Sequence, residues 1–157
     1  MKVLVGTLYS GENELERCVE SVRQQRNVEL RHVIFRGLPN IKAHQSLYQL
    51  FMGERKNYDL FIKLDADMVF KSRETISQII EVFLKDDGLD HALFSVSDWY
   101  SREEILGLHT FSNRVAWANL EDPLFVDEAP TRIGHFRVIQ DEPAPVAWHT
   151  PDPSMAA

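Results

Sequence analysis

Three times between residues 1 and 88 a short apolar run gives way to a polar turn and then to apolar residues spaced three and four apart. That recurrence constrains the fold more than any other feature of the chain. The first unit reads as a buried strand from Lys2 to Gly6, a turn from Tyr9 to Glu12, and a helix whose apolar positions are Leu15, Cys18, Val19 and Val22. The second runs from His32 to Phe35, breaks at Gly37, Pro39 and Asn40, and resumes with Ala43, Leu47, Leu50 and Phe51 at helical spacing. The third has a strand from Leu60 to Leu64, Ser72 as an N-cap, and a helix bearing Ile76, Ile79, Ile80, Phe83 and Leu84, stopped by Gly88. Strands joined in series through helices lie parallel, and such a sheet needs helical cover on both faces, so the expected class is α/β with a mostly parallel sheet.

The pattern changes after Gly88. Ala92, Phe94 and Val96 alternate against Leu93, Ser95 and Ser97 as in a strand, and Ile105 to Phe111 reads as another. Ser101 and Glu104 have capping-box spacing, which leaves a short helix as the alternative for that second stretch. A short helix is expected near Asn113 to Asn119, then an acidic, proline-containing loop from Glu121 to Pro130, then strands at Phe136 to Ile139 and Val146 to His149. With 157 residues and no repeat or low-complexity linker, the chain is expected to form one domain spanning 1–157. A net charge of −7 excludes a chain built to neutralise nucleic-acid phosphates. The apolar run in MKVLVGTLYS is too short for a signal peptide or membrane span, which makes the cytoplasm the default compartment. The lone cysteine, Cys18, falls on a helix's apolar stripe and is expected to pack rather than react.

In an open parallel sheet, ligands bind beyond the carboxyl ends of the strands. The segment LFIKLDADMVF puts Asp65 and Asp67 at that end of the third strand, one residue apart. Two carboxylates so placed can hold a hard divalent cation, Mn2+ or Mg2+, which in turn neutralises phosphate oxygens. The plainer alternative is a pair of turn aspartates.

Taken with the first loop TLYSGENE and the following helix LERCVESVRQQ, the Asp-x-Asp segment resembles the GT-A nucleotide-diphospho-sugar transferases, especially glycosyltransferase family 2, over roughly residues 2–150. The resemblance implies that Thr7, Tyr9 and Glu12 contact the base and ribose of a donor. Asp65 would sit near ribose and metal, Asp67 would ligate the metal, and Ala66 would lie between them in the donor site. Lys42 and His44 fall where the family places polar donor contacts, and a lysine suits a diphosphate. His149, after the apolar VAW, matches the late histidine that such enzymes recruit to the metal, an imidazole that favours manganese. The resemblance implies a donor-binding half over about 1–70 and an acceptor- and metal-closing half over about 90–150. One departure stands out: Arg36 and Gly37 occupy the end of the second strand, where the family carries an acidic residue that reads the base.

The expected activity is metal-dependent transfer of a sugar from a UDP- or GDP-linked donor to an acceptor hydroxyl of unknown identity. Such a reaction needs a carboxylate to take the hydroxyl proton. Candidates are Asp98, Asp122, Asp127 and Glu128, with Asp127 preferred, and Trp99 and Tyr100 beside Asp98 have the chemistry to stack on a sugar ring. Two alternatives remain open. The chain is short for a complete GT-A enzyme, which suits a nucleotide-sugar binding module or an inactive truncated transferase. DADMV also fits a phosphatase of the haloacid dehalogenase type with Asp65 as nucleophile, although there the motif follows the first strand and here two βα units precede it.

Overall fold

The computed structural model describes residues 1–118, 120 and 134–152. Strands β1 (Lys2–Tyr9), β2 (Glu29–Arg36) and β3 (Leu60–Lys63) alternate with helices α1 (Leu15–Arg23), α2 (Asn40–Gly53) and α3 (Thr75–Lys85), with a short strand β4 (Met68–Phe70) before α3. Then come β5 (Leu89–Asp98), β6 (Glu104–Ser112), β7 (His135–Ile139) and β8 (Ala147–His149). The eight described strands form one sheet in the order β2-β1-β3-β6-β5-β8-β4, with β7 beside β5. The β1 strand lies parallel to β2 and β3, and β5 lies parallel to β7 and β8. Antiparallel β6 joins these two parallel groups, and β4 runs antiparallel to β8.

The strand period of two divides the apolar residues between two cores. Val3, Val5, Leu60 and Ile62 point to the face covered by Cys18 and Val22 of α1 and by Ile76, Ile79, Ile80 and Phe83 of α3. Leu4, Phe61 and Phe111 point the other way, onto Leu47, Tyr48 and Phe51 of α2 and onto Trp117. Helices therefore cover both faces, and Cys18 is a fully buried packing residue. At Gly6 the strand runs so close to α2 that an added Cβ would collide with the Leu47 side chain.

Several local expectations need correcting. The expected helix at Asn113–Asn119 does not form over its described residues, 113–118: residues 113 and 114 are a turn and Ala116 makes an isolated bridge. The Asn113 amide donates to the carbonyls of Arg55 and Tyr58, and Ser112 Oγ accepts the Arg114 N–H, so side chain–backbone bonds displace the helical ladder. Residues 99–103 turn β5 into β6 rather than opening a helix, with Arg102 in the left-handed region at φ 61°. Ser72 is not the N-cap of α3, which begins at Thr75; Ser72 Oγ accepts the Glu74 N–H within the preceding bend. Leu84 is exposed rather than part of that helix's buried stripe.

Candidate functional site

The loops after β1, β2 and β3 emerge at the same end of the sheet because these strands are parallel neighbours. Between them lies a cleft of about 420 Å³ lined by Leu8, Tyr9, Ser10 and Glu12, by Leu38, Asn40, Ala43 and His44, and by Lys63, Asp65 and Asp67. Of the donor-site residues expected from the sequence, the fold brings Tyr9, Glu12, His44, Asp65 and Asp67 to this one space. The Glu12 carboxylate accepts from Ser10 N and Ser10 Oγ, each at 2.8 Å, which shapes the first loop.

Three expected residues stand elsewhere. Thr7 is fully buried, with Oγ1 2.7 Å from His32 Nε2; it shares a face with Tyr9 but lies two residues deeper in the strand, whereas Tyr9 is the strand's last residue and reaches the cleft. Lys42 is exposed on α2, one position off the face that carries Ala43 to the cleft. Ala66 is buried between the two aspartates and does not line the cleft. Asp122, Asp127 and Glu128 lie outside the described residues.

Burial alternates through the segment: Leu64, Ala66 and Met68 are buried, while Asp65 and Asp67 are half-buried and both line the cleft. Desolvation raises the Asp65 carboxyl above the ordinary range, and the neighbouring Lys63 charge opposes that rise. Lys63, itself almost fully buried, is a cleft residue that the sequence reading passed over. Its signal was present, because a lysine closing the buried run LFIK has to meet either a charge or a ligand.

His149 arrives from the far end of the chain. As β8 pairs with both β4 and β5, its backbone is set opposite Met68 and Asp98. Its ring lies between two carboxylates, with Nε2 3.3 Å from Asp67 Oδ2 and Nδ1 2.8 Å from Asp98 Oδ1. The hydrogen bond to Asp67, reinforced by that to Asp98, outweighs burial and raises the imidazole pKa to about 9. Asp98 is held down at about 2, chiefly by His149 and then by the Ser101 N–H, which donates to Oδ2 at 2.9 Å. Asp98 is thus a poor proton acceptor, engaged by the histidine instead. The Trp99 ring beside it packs edge-on against Trp148, with the Arg102 guanidinium 4.2 Å from its centroid. Asp67 Oδ1, in contrast to Oδ2, is buried without a hydrogen-bond partner among the described residues. No group of three or more His, Cys, Asp or Glu side chains forms a ready-made metal cage among the described residues, and no described helix is long and apolar enough to cross a membrane.

No protein-family model matches the chain, and no curated protein matches it. Solved structures do. A197 from STIV superposes with a TM-score of 0.55 at 17% identity, over 81% of this chain and 72% of that one. The 4-diphosphocytidyl-2C-methyl-D-erythritol synthase from Anaerococcus prevotii gives 0.53 at 11% identity, over 88% of each chain. HddC from Yersinia pseudotuberculosis in complex with GMP-PN gives 0.51 at 14% identity, over 88% of this chain and 90% of that one. At these identities the likeness is one of fold. The chain has the GT-A, nucleotide-diphospho-sugar transferase architecture, a curled mixed sheet with helices on both faces.

Proposed function

We propose that the chain is a metal-dependent glycosyltransferase that moves a sugar from a UDP- or GDP-linked donor to an acceptor hydroxyl. The observation that carries this reading is Asp67 Oδ1, a carboxylate oxygen buried without a partner among the described residues, where three parallel strands open onto a cleft. A buried anionic oxygen left unsatisfied is costly, and a divalent cation, Mn2+ or Mg2+, would relieve that cost. Asp67 and Asp65 would hold it, joined by His149 once Nε2 has given up its proton, and donor phosphate oxygens and water would complete its shell. When bound, the cation supplies positive charge against the diphosphate leaving group.

The chain's own residues divide the donor between them. Tyr9, Ser10 and Glu12 with Leu38 offer one ring, one apolar wall and hydroxyl-binding oxygens to the nucleoside. Lys63 brings positive charge to the phosphate stretch, and His44 lines the same cleft as a hydrogen-bonding ring. The donor sugar then faces Asp67 and His149. The proton acceptor for the hydroxyl stays assigned to Asp127, with Glu128 beside it, because Asp98 is engaged by His149. The fold likeness to HddC in complex with GMP-PN supports a nucleotide in this cleft. Two complete βα units precede the motif, where a phosphatase of that type carries it after the first strand, which argues against Asp65 as a phosphatase nucleophile.

The test is thermal shift with UDP and GDP, each with Mn2+ or with excess chelator. A ligand at a hundred times its Kd stabilises by about 2.7 kcal/mol, a readily measured rise in melting temperature. Equal stabilisation in chelator removes the metal from the reading. Metal-dependent binding without hydrolysis or transfer of any nucleotide-sugar favours the binding-module alternative, and hydrolysis of an aryl phosphate would establish the phosphatase instead.

A further inference from the structure

We propose that Asp98 is a positioning residue for the metal site: it fixes the orientation of the His149 ring so that Nε2 faces Asp67. The inference rests on the reading above, in which a cation binds at Asp67 and His149, and extends it to a residue that would touch neither the cation nor the donor.

The backbone of His149 is already fixed. Strand β8 sits between β5 and β4, with His149 opposite Asp98 on one side and Met68 on the other, and its carbonyl accepts the Trp99 N–H at 3.0 Å. Backbone pairing leaves the ring free to turn about χ2, and a half-turn exchanges each nitrogen with a carbon. Asp98 removes that freedom. Its Oδ1 lies 2.8 Å from Nδ1, so in the flipped ring a C–H would face a carboxylate and a charge-assisted hydrogen bond would be lost.

Asp98 is held in turn. Its Oδ2 accepts the Ser101 N–H at 2.9 Å, its N–H donates to the Glu103 carbonyl at 2.9 Å, and its carbonyl accepts the Arg102 N–H at 3.0 Å. The β5–β6 turn, with its left-handed residue Arg102, is therefore the support of a chain that runs turn, Asp98, His149, Asp67. Metal-binding histidines usually donate their second ring N–H to a carboxylate or carbonyl, and removing that partner weakens metal affinity by roughly 10–100-fold. The Asp98–His149–Asp67 sequence has that geometry, which also explains why the carboxylate nearest the exposed Trp99 is unavailable to an acceptor.

The experiment titrates Mn2+ alone into the parent protein, Asp98→Leu, Asp98→Asn, His149→Ala and the double variant Asp98→Leu/His149→Ala, reading free Mn2+ by electron paramagnetic resonance. Asp98→Leu should weaken binding by about 10–100-fold. Asp98→Asn keeps an oxygen that accepts the Nδ1–H and should stay within about threefold of the parent. In the His149→Ala background the Asp98→Leu penalty should vanish, since Asp98 acts only through the ring. If Asp98→Leu fails to fold, Asp98→Ser, too short to reach Nδ1, carries the same comparison. A parent that binds Mn2+ with Asp98→Leu binding equally well overturns this inference alone. So does a penalty that persists without His149, and so does Asp98→Asn falling as far as Asp98→Leu, which would make the effect one of charge. A parent that binds no Mn2+ overturns the metal reading itself and this inference with it.

Discussion

The N–H of Thr150 donates to the carbonyl of Asp67 at 2.8 Å, so the backbone of the Asp-x-Asp loop is tied to the tail just beyond β8 without help from either side chain. Asp67 can therefore lose its carboxylate and keep its place. Asp67→Ala should fold with a melting temperature within a few degrees of the parent and lose metal-dependent nucleotide binding. Calorimetric titration of UDP and GDP with Mn2+, beside a thermal melt, checks both halves, and undiminished binding would show that Asp67 holds no metal.

His149 offers a nitrogen ligand beside Asp67, its Nε2 3.3 Å from Oδ2. Its replacement by Ala should weaken Mn2+ binding by about tenfold or more and Mg2+ binding much less, since imidazole suits transition metals and Mg2+ prefers oxygen and water. Parallel titrations with the two ions decide it, and equal losses would point to a general collapse of the site.

Lys63 ends β3 and Asp65 lies two residues beyond it on the same cleft, and the lysine's charge opposes the desolvation that raises the aspartate. Lys63→Met should push the Asp65 carboxyl higher still and lower affinity for a nucleoside diphosphate by about tenfold or more, as expected when a phosphate loses a charged donor. Affinity for the nucleoside alone should hardly change. Comparing the two ligands on one variant separates a phosphate contact from a damaged cleft.

The carboxylate–imidazole–carboxylate cluster gives stability a defined pH dependence. His149, raised from 6.5 to about 9, contributes fully below 6.5 and loses its contribution as pH climbs through 9. Asp98, lowered from 3.8 to about 2, contributes above 3.8 and loses its contribution as pH falls through 2. The cluster's contribution is thus greatest between those limits, in mildly acidic solution. Melting curves of the parent and His149→Asn should lie furthest apart near pH 5 to 6 and converge toward pH 9; a constant gap would refute the assignment.

Gly6 faces Leu47 where β1 meets α2. Gly6→Ala should cost about 1–3 kcal/mol through overpacking, partly offset by alanine's smaller entropy loss on folding. Thermal denaturation measures it, and shortening the neighbour, as in Gly6→Ala/Leu47→Val, should recover part of the loss.

The helical stripes were legible because burial follows a local period: Cys18 and Val22, Leu47 and Phe51, and Ile76, Ile79, Ile80 and Phe83 all face the core as their spacing predicts. The placement of Asp65 and Asp67 at the carboxyl edge of the parallel strands followed from the order of the strands. Other features depended on pairing that no local pattern encodes. Strand β4 is only Met68–Phe70 and directly follows the aspartates, so its apolar run reads as part of the loop until His149, Trp148 and Ala147 are seen beside it. The antiparallel insertion of β6 between β3 and β5 is likewise a long-range choice. Asp98 was visible as a strand-ending carboxylate, but its partner lay on a distant strand, so proton abstraction was the nearest role to suggest.

Among the described strands, β4 pairs with β8 alone. During synthesis on the ribosome, a nascent chain that stops before Val146 can lay down β1, β2 and β3 and still lack the strand beside Met68–Phe70. Pairing between such distant segments carries a high loop-closure cost, so it comes late in folding. Among the described strands β8 comes last in the chain, so the Asp-x-Asp loop can gain its neighbouring strand only after β1 to β7 have been synthesised.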